Sequence, residues 1–325
     1  MSGNRWNVIV TAPVLAEQAV ALMRDNGCTV HFMPPYPTAD QVAALVAETQ
    51  ADAILCRQGK IAAKVFAASP RLRIVARHGV GMDEVDIPAG REAGVMLTNA
   101  PGSNTREVAE HAITLMLALV KNLPAHSAAI AEGGWRGAAG QVRDMRGLRV
   151  GILGFGRIGH EVAKLLAPWD VRITAYDPYI DAASFAGVTR AATLAALWPA
   201  ADILTIHAPR TAETVGLVDA AALAALPKGA VVVNTGRGGI IDEAALAAAL
   251  EAGHVAGAGL DVFDVEPPPA DHPLRRNPRV IRTPHVAGVT PNSLVTMATT
   301  AAECILAKLN GGTVPAECIV EQGRR

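Results

Sequence analysis

Residues 149–177 read RVGILGFGRIGHEVAKLLAPWDVRITAYD. An apolar run leads into a turn with glycines at Gly154, Gly156 and Gly159, and a helical pattern and a second apolar run ending in Asp177 follow. The order strand, glycine turn, helix, strand and acid is typical of a unit that binds a dinucleotide. The stretch therefore predicts two neighbouring parallel strands with a nucleotide-binding turn after the first of them.

Each glycine of the turn has a separate physical reason. Gly154 permits the tight turn, Gly156 lets backbone N–H groups approach a pyrophosphate, and Gly159 lets the helix pack closely on the strand. The N-terminus of the helix, with its outward N–H groups and positive dipole end, then faces the phosphates. The residues expected to bind the cofactor here are Gly154, Phe155, Gly156, Arg157, Ile158 and Gly159.

Asp177 indicates which dinucleotide is bound. It lies 18 residues after Gly159, close to the spacing of about 20 at which an acid reaches the adenosine ribose. Its charge would repel a 2′-phosphate, and residues 178–181, which read PYID, supply no Arg or Lys to neutralise one. The pattern favours NAD over NADP. The alternative is an ordinary strand-to-helix turn with an acid at the end of the next strand.

Composition limits the class of protein. The chain has 325 residues, of which 50% are hydrophobic and 18% charged, and this length predicts two domains. A net charge of −1 gives no footprint for nucleic acid or an acidic membrane surface. The cysteines lack the spacing of a zinc site or a disulfide framework. We therefore expect no metal. With no signal-like N-terminus and no apolar run long enough to span a bilayer, we also expect a cytoplasmic protein.

The rest of the chain alternates short apolar runs with helical patterns, which predicts parallel sheets with helices on both faces. A turn-rich break at 99–104 is the expected hinge. A final helical segment from about Pro291 to Leu309 is expected to cross back onto the first domain. The predicted strands are Val8–Val10, Thr29–Phe32, Ala53–Leu55, Ile74–Ala76, Val95–Leu97, Ile203–Ile206, Ala230–Asn234, Ala256–Leu260 and Val280–Arg282.

Polar side chains follow successive strands of the second half. Arg237, Glu266 and His285 would all lie at the carboxyl edge of one sheet, where ligands bind in open parallel sheets. An arginine can hold a carboxylate through two hydrogen bonds and polarise the adjacent carbonyl. A histidine can exchange a proton near neutral pH, and an acid on its other nitrogen would orient it. This set predicts hydride chemistry on a 2-hydroxy acid.

Each of these three residues also has a structural interpretation. Arg237 in its glycine-rich loop could cap a helix, Glu266 before a proline could sit in a surface turn, and His285 could be a core histidine. Taken singly, these interpretations are at least as strong as the functional ones. Their joint position after successive strands, beside the nucleotide turn, favours a catalytic set.

Several long motifs resemble the D-isomer-specific 2-hydroxyacid dehydrogenases, the family of D-3-phosphoglycerate, D-lactate, glyoxylate/hydroxypyruvate and formate dehydrogenases. The resemblance covers nearly the whole chain. The motifs are RHGVGMDEVDI (77–87), NAPGSNTREVAEH (99–111), GILGFGRIG (151–159), HAPRTAETVGLV (207–218), NTGRGGIIDEAAL (234–246), GLDVFDVEPP (259–268) and TPHVAG (283–288).

The resemblance implies an α/β fold of two doubly wound parallel-sheet domains that close over the substrate. Residues 1–99 with 290–325 would form a flavodoxin-like substrate domain, and residues 100–289 a Rossmann NAD-binding domain. Homodimers would form through the NAD-binding domain, with much of the contact from residues 105–136. At this length we expect no extra C-terminal regulatory domain of the kind that some phosphoglycerate dehydrogenases carry.

The resemblance also assigns roles to residues. Arg237 would be the substrate-binding catalytic arginine, His285 the acid/base and Glu266 its partner. Asp261 would lie near the nicotinamide carboxamide. Other residues expected around the cofactor are Thr105, His207, Ala208, Pro209, Thr235 and Gly236.

A second set of residues would read the substrate. Backbone N–H groups of Val80 and Gly81 are expected to meet the substrate carboxylate in an anion-binding nest. His78 stands where the family often has a smaller residue, and it either adds positive character or only fills space. Arg57 and Lys60 lie where phosphoglycerate-type members place a basic residue, and they either bind a distal anion or are simply solvated.

The leading hypothesis is an NAD-dependent D-2-hydroxyacid dehydrogenase whose substrate side chain stays open. One alternative is an NAD(H)-sensing binding protein of the corepressor type, which would bind NADH without oxidising it. Another is an NADP-preferring glyoxylate/hydroxypyruvate reductase, which Asp177 opposes.

Overall fold

The computed structural model describes residues 5–137 and 141–325. Contacts divide the chain into two compact units: unit 1, Met1–Asn104 with Val289–Arg325, and unit 2, Thr105–Gly288. Unit 1 is therefore discontinuous in sequence, and the C-terminal segment belongs to it. The first boundary falls after residue 104, where the sequence pattern suggested residue 99, because the turn-rich residues 99–104 still belong to unit 1.

Unit 1 is built on a six-stranded sheet. Its strands are β1 (Trp6–Val10), β2 (Cys28–Phe32), β3 (Ala53–Cys56), β4 (Ile74–Arg77), β5 (Met96–Thr98) and β13 (Ile319–Glu321). Its helices are α1 (Glu17–Asp25), α2 (Ala39–Thr49), α3 (Ala63–Ala67), α4 (Ile87–Ala93) and α11 (Pro291–Leu309). The order β2-β1-β3-β4-β5 is the flavodoxin-like order, so the predicted fold class of this part is confirmed.

The sheet of unit 1 is buried on both faces. Val8 packs into the core on one face and Ile9 into the core on the other. Successive strand residues point to opposite faces, so a continuous apolar run is what a covered parallel strand requires. The helix α11 covers the first face with Ala301 and Ile305, and its small side chains allow the helix to lie close to the strands.

One strand of unit 1 departs from the expected parallel pattern. β13 pairs antiparallel with β5, Ile319 opposite Thr98, and forms the edge of the sheet. The sequence pattern did not reveal it because the strand is three residues long and its partner lies more than 200 residues earlier in the chain.

Unit 2 is built on a seven-stranded parallel sheet. Its strands are β6 (Arg149–Leu153), β7 (Arg172–Tyr176), β8 (Thr189–Arg190), β9 (Ile203–Ile206), β10 (Ala230–Asn234), β11 (Val255–Leu260) and β12 (Val280–Arg282). Its helices are α5 (Thr105–Val120), α6 (Leu123–Ala131), α7 (Arg157–Leu166), α8 (Leu194–Leu197), α9 (Ala220–Ala225) and α10 (Glu243–Glu251). The order β8-β7-β6-β9-β10-β11-β12 contains the Rossmann order and confirms the predicted fold of this part.

The strand order of unit 2 decides where a ligand can bind. β6 lies between β7 and β9, so the chain leaves β6 in one direction along the sheet and later returns to its other side. A crevice opens at such a switch point, beyond the carboxyl ends of the strands. The glycine turn follows β6 and therefore lies at this crevice.

The helices α5 and α6 are separated by two residues. Among the described residues, no single helix has the length and apolarity to cross a bilayer. In this part of the chain, only α5 and α6 taken together reach that length and apolarity, and they are bent by 57° where they meet. Seven residues of α5 are buried within the molecule.

Candidate active site

In the glycine turn after β6, close packing leaves no room for a side chain at two of the three glycines, whereas the third has open space around it. Gly154 has φ +88°, and a Cβ there would lie 2.5 Å from the backbone nitrogen of Ala208. A Cβ on Gly159 would lie 2.5 Å from the carbonyl oxygen of Gly154. A Cβ on Gly156 would meet nothing within 4 Å. The space above Gly156 is therefore open to a ligand.

The first turn of α7 points its N–H groups into this open space. Gly156 is the N-cap of α7, and no side chain caps the helix there. The N–H groups of the first helical residues, Arg157 and Ile158, have no acceptor within a helix and are directed out of its end. The arrangement fits a pyrophosphate bound at a helix N-terminus.

Phe155 contributes to the turn differently from its neighbours. Its N–H donates to Asp177 Oδ2 at 2.9 Å, and its ring is buried and stacks on His160 and Phe185. The ring is thus part of the core beneath the turn. Phe155 supports the predicted site through packing and through Asp177, and it does not offer its N–H to a phosphate.

Asp177 lies at the end of β7 with a fixed carboxylate. Oδ2 accepts from Phe155, and Oδ1 accepts from the Tyr179 N–H at 2.9 Å. Each carboxylate oxygen has a further lone pair available for a ribose hydroxyl. The geometry agrees with a ribose-binding acid whose orientation is set before the ligand arrives.

The two roles of glycine give a testable contrast. Gly154→Ala is expected to destabilise the protein by more than about 2 kcal/mol, because it combines an unfavourable φ with a backbone clash. Gly156→Ala should leave the free energy of unfolding within about 1 kcal/mol and weaken dinucleotide binding by about tenfold. Urea unfolding and a fluorescence titration with NADH measure the two effects. Equal destabilisation by both substitutions would contradict the assignment.

His207 begins the loop after β9 and links two loops of the site. Its Nε2 lies 2.9 Å from the hydroxyl of Thr205, and its Nδ1 lies 3.3 Å from the hydroxyl of Thr235. Burial lowers the pKa of His207 to about 3, so the ring is neutral near pH 7. His207, one of the predicted cofactor-binding residues, therefore connects the loop after β10 to β9 through its ring.

Asn234, which the sequence pattern did not single out, holds the loop that carries Arg237. Its Oδ1 accepts from the Gly236 N–H at 3.0 Å, and its Nδ2 donates to the carbonyl oxygen of Arg237 at 2.9 Å. The side chain is almost completely buried. A side-chain amide carries an acceptor oxygen and a donor nitrogen on the same carbon atom, so it can bond the Gly236 N–H and the Arg237 carbonyl together.

Glycine also brings the Arg237 loop against the Glu266 loop. A Cβ on Gly238 would lie 1.9 Å from the carbonyl oxygen of Phe263, so the two backbones are in direct contact. The Arg237 charge acts on both members of the neighbouring pair: it contributes to the lowered pKa of Glu266 and opposes the rise in the pKa of His285. The structure therefore brings the three predicted catalytic residues together.

His285 and Glu266 form a hydrogen-bonded pair. His285 Nδ1 lies 2.7 Å from Glu266 Oε2, and the other carboxylate oxygen accepts from the Phe263 N–H at 3.1 Å. The His285 side chain is 51% exposed, which leaves its Nε2 side accessible. The pair thus presents one imidazole nitrogen to a ligand while the carboxylate holds the other.

Each member of the pair shifts the pKa of the other. The hydrogen bond to Glu266 raises the pKa of His285, although burial and the Arg237 charge oppose this shift. Burial acts to raise the pKa of Glu266, but the hydrogen bond and charge of His285 outweigh it and leave that pKa below its ordinary value. Together these shifts favour an imidazolium paired with a carboxylate.

Asp261 holds the backbone of the loop that carries His285. The N–H of His285 donates to the Asp261 carbonyl oxygen at 2.8 Å, and the N–H groups of Val286 and Ala287 donate to its two carboxylate oxygens at 2.9 Å. His285 has φ +54°, a left-handed conformation that a non-glycine residue adopts at a cost. The three consecutive N–H groups that donate to Asp261 maintain this left-handed conformation.

His111, on α5, extends this network and was not predicted. Its Nε2 lies 3.0 Å from the Thr283 hydroxyl, which donates to Asp261 Oδ1 at 2.6 Å. The carboxylate of Asp261 is 1% exposed and is oriented by these contacts and the loop N–H groups. Asp261 therefore holds residues 283–287, and its contact with the nicotinamide stays a prediction.

In unit 1, the residues predicted to bind a carboxylate lie on the loop after β4. The Gly79 carbonyl accepts from the Ala100 N–H at 2.9 Å, and the Val80 carbonyl accepts from Asn99 Nδ2 at 2.8 Å. The N–H and C=O of a trans peptide point in opposite directions. Both contacts therefore turn the N–H groups of Val80 and Gly81 away from residues 99 and 100, as an anion-binding nest requires.

The structure supports the space-filling interpretation of His78 over the one in which it adds positive charge. His78 is buried, and its Nε2 donates to the Leu294 carbonyl at 3.3 Å. Burial, with the charges of Arg57 and Arg77, lowers the pKa of His78 to about 4, so the ring is neutral near pH 7. His78 fills space beneath the loop, which is the alternative that the sequence left open.

The basic residues after β3 are in different states. Arg57 is half-buried, and its Nη1 donates to the Val14 carbonyl at 2.9 Å, whereas Lys60 is exposed. Arg77 donates to the carbonyl oxygens of Gly81, Cys56 and Arg57, so it is a structural residue of the loops. Arg57 thus has a defined orientation at the carboxyl edge of this sheet, whereas the Lys60 side chain makes no hydrogen bond among the described residues.

Among residues 5–137 and 141–325, no group of three or more His, Cys, Asp or Glu side chains is arranged to hold a metal ion. Thr105 is the first residue of α5 and is partly exposed, and its contact with the cofactor stays a prediction.

Comparison with known proteins gives the family. The model for the D-isomer specific 2-hydroxyacid dehydrogenase, NAD binding domain, matches residues 113–287, more than half of the chain. D-3-phosphoglycerate dehydrogenase of Mycobacterium tuberculosis is 41% identical over 310 residues, which are 95% of this chain and 58% of that protein. The chain spans 57–58% of the length of such curated relatives.

Solved structures agree over nearly the whole chain. The TT0316 protein from Thermus thermophilus has a TM-score of 0.88 and 32% identity, covering 97% of this chain and 100% of that one. An NADPH-dependent glyoxylate/hydroxypyruvate reductase from Sinorhizobium meliloti has a TM-score of 0.84 and 32% identity, covering 99% of both chains. The predicted family and the predicted NAD-binding domain are therefore confirmed: this chain belongs to the D-isomer specific 2-hydroxyacid dehydrogenases, and unit 2 carries their NAD-binding domain.

Proposed function

We propose that the protein is an NAD-dependent D-2-hydroxyacid dehydrogenase that interconverts a 2-hydroxy acid and a 2-keto acid. The observation that carries this proposal is the His285–Glu266 pair, with a nitrogen–oxygen distance of 2.7 Å, whose Glu266 loop is in backbone contact with the Arg237 loop. NAD, when bound, supplies the hydride acceptor or donor. The D-configuration comes from the family to which the chain belongs.

Each of the three residues has a distinct task. Arg237 would bind the substrate carboxylate through its planar guanidinium and polarise the C2 carbonyl. His285 Nε2 would give a proton to the developing alkoxide during reduction and take it back during oxidation. Glu266 would keep Nδ1 protonated and stabilise the imidazolium by charge. The glycine turn and Asp177 would bind the pyrophosphate and the ribose of the cofactor.

A keto-acid panel with NADH tests this activity. We expect oxidation of NADH with at least one of glyoxylate, hydroxypyruvate, phosphohydroxypyruvate, or a branched or sulfonated keto acid. Binding of NADH without oxidation by any of them would favour an NAD(H)-sensing protein. A higher kcat/KM with NADPH than with NADH would favour a glyoxylate-type reductase, such as the relative from S. meliloti.

For the substrate, we propose a 2-hydroxy acid with a second anionic group that Arg57 binds. The support is the position of Arg57 after β3 and the names of the curated relatives, which are D-3-phosphoglycerate dehydrogenases. Arg57→Ala should lower kcat/KM selectively for substrates with two anionic groups, with exposed Arg24→Ala as the control. An equal loss for all keto acids would reject this role of Arg57.

The His285–Glu266 pair predicts a pH dependence. Reduction of a keto acid needs protonated His285, so kcat/KM should fall as the pH rises through the raised pKa of His285. Glu266→Gln removes the charge that raises this pKa, so the fall should move to lower pH. The exposed Glu303→Gln is the control. An unchanged pH profile in Glu266→Gln would show that the carboxylate does not set the pKa of His285.

We also propose that the protein forms a homodimer through unit 2. The helix α6 has no buried residue, although Leu123 and Ile130 are apolar and 56% and 54% exposed, and Trp135 is 75% exposed. An exposed apolar patch of this kind marks an interaction surface. Ile130→Asp should give a monomer in size-exclusion chromatography with light scattering, whereas Val14→Asp, on unit 1, should not. A wild-type monomer would contradict the proposal.

A further inference from the structure

An exposed side-chain bridge connects two loops at the nucleotide crevice of unit 2. The hydroxyl of Tyr179, two residues after Asp177, donates to the carboxylate of Glu213. Tyr179 is 76% exposed, and Glu213 is also exposed, so packing does not account for their contact. The bridge plays no part in the proton transfer assigned to His285.

The topology places this bridge across the crevice. Tyr179 follows β7 and Glu213 lies in the loop after β9, and these two strands pair with β6 on its opposite sides. The glycine turn follows β6, between them. In a fold of this kind, the ribose of the adenosine half lies by the acid at the end of the second strand, here Asp177 on β7. The bridge therefore spans the crevice at its adenosine end.

Both ends of the bridge are fixed to the protein. The Tyr179 N–H donates to Asp177 Oδ1 at 2.9 Å, so the base of the tyrosine is tied to the ribose-binding acid. On the other side, the Thr214 hydroxyl donates to the Pro209 carbonyl at 2.7 Å and accepts from the Thr211 N–H at 2.8 Å. These bonds make residues 209–214 a defined turn. The Glu213 N–H also donates to the Thr211 hydroxyl at 3.3 Å, and the bond from Tyr179 holds the Glu213 carboxylate toward the loop of Asp177.

Two carboxylates, those of Asp177 and Glu213, are linked to Tyr179 at this end of the crevice. Tyr179 brings Glu213 to the loop of Asp177, and both carboxylates act to raise the pKa of the Tyr179 hydroxyl, which keeps it protonated as a donor. The cation nearest in sequence to Glu213, Arg210, forms an ion pair with Asp264 at 2.9 Å. Arg157, at the start of α7, is exposed and belongs to the pyrophosphate turn.

We propose that Glu213, held by Tyr179, is a second specificity residue for the dinucleotide and disfavours the 2′-phosphate of NADP together with Asp177. The inference rests on the NAD-binding domain and goes beyond the proposed catalytic function. A carboxylate at this position repels a phosphate dianion but accepts NAD, whose ribose carries a neutral hydroxyl there. Tyr179 acts by positioning, because its hydroxyl is neutral.

Dissociation constants for NADH and NADPH, measured by fluorescence titration, test the role of Glu213. In Glu213→Gln, which keeps an acceptor for Tyr179 but removes the charge, NADPH should bind about three- to tenfold more tightly. NADH binding should change by less than about twofold, because the lost charge faces no phosphate on that ribose. Glu251→Gln, an exposed charge at the end of α10, is the matched control and should change neither constant.

Two further measurements separate charge from shape. Tyr179→Phe keeps the aromatic ring but releases Glu213, so it should lower the preference for NADH in part. Raising the ionic strength should reduce the preference for NADH over NADPH more in the wild type than in Glu213→Gln, because salt screens exposed charges.

The outcomes distinguish this inference from the proposed function. An unchanged NADPH/NADH ratio in Glu213→Gln, with tight NADH binding, would overturn the role of Glu213 alone. A change of equal size in Glu251→Gln would also overturn it, since any surface charge would then have the same effect. Binding of neither dinucleotide by the wild type would overturn both the role of Glu213 and the proposed function.

Discussion

His285→Ala is expected to lower kcat for keto-acid reduction by about 10²- to 10⁴-fold, or about 3–5 kcal/mol in the barrier. The variant removes the group that protonates the developing alkoxide, and solvent is a poor substitute at neutral pH. Glu266, 2.7 Å from His285 Nδ1, would remain and would keep the local negative charge. Single-turnover or steady-state assays with NADH and the best keto acid measure the loss.

Binding controls show whether this loss belongs to chemistry. The dissociation constant for NADH should change by less than about threefold in His285→Ala, because the nucleotide turn lies on a different loop. His254→Ala is a suitable control, since that histidine lies just before β11 and bonds the carbonyl of Leu226. A residual kcat within tenfold of the wild type would show that His285 is not the acid/base.

Arg237→Gln is expected to lower kcat/KM by about 10³-fold, equivalent to about 4 kcal/mol. The guanidinium would hold the substrate carboxylate and stabilise charge on the carbonyl oxygen as the hydride arrives. Arg237→Lys should recover only part of the loss, because an ammonium cannot bind a carboxylate through two parallel N–H groups. Arg276→Gln, an exposed arginine after β11, is the control.

A second readout distinguishes this role from a structural one. The Arg237 charge partly opposes the rise in the pKa of His285 that Glu266 causes, so Arg237→Gln should move the fall of activity with pH to higher pH. This direction is opposite to that expected for Glu266→Gln. A variant that is merely misfolded would lose activity at every pH without moving the profile, and that result would contradict the assigned position of Arg237.

The sequence was informative where the relevant interactions are local. The spacing of Gly154, Gly156 and Gly159 specifies a backbone path, and the structure explains two of the three by contacts shorter than 3 Å to a substituted Cβ. The helix from Pro291 to Leu309 was also predictable, because Thr290 caps it and proline follows at its first position. Continuous apolar runs such as Val8–Val10 indicated strands that are covered on both faces.

The sequence was less informative where one residue depends on a distant partner. His78 could be charged or buried as far as the pattern goes, and only the structure shows that it is buried under the loop after β4. Asn234 reads as the end of an apolar strand, yet its amide holds the Arg237 loop. His111, 172 residues before Thr283, could not be connected to Asp261 without the packing of α5 on the sheet.

The amino-acid sequence by itself predicted most of the strands and helices, the nucleotide turn with its acid, and Arg237, Glu266 and His285 as a candidate catalytic set. These follow from periodicity, glycine sterics and residue chemistry, which act over a few neighbouring positions. Only the tertiary structure decided the left-handed backbone of His285, its support by Asp261, the neutral state of His78 and His207, and the Tyr179–Glu213 bridge. Those properties depend on burial and on hydrogen bonds between segments far apart in the chain, which local patterns do not encode.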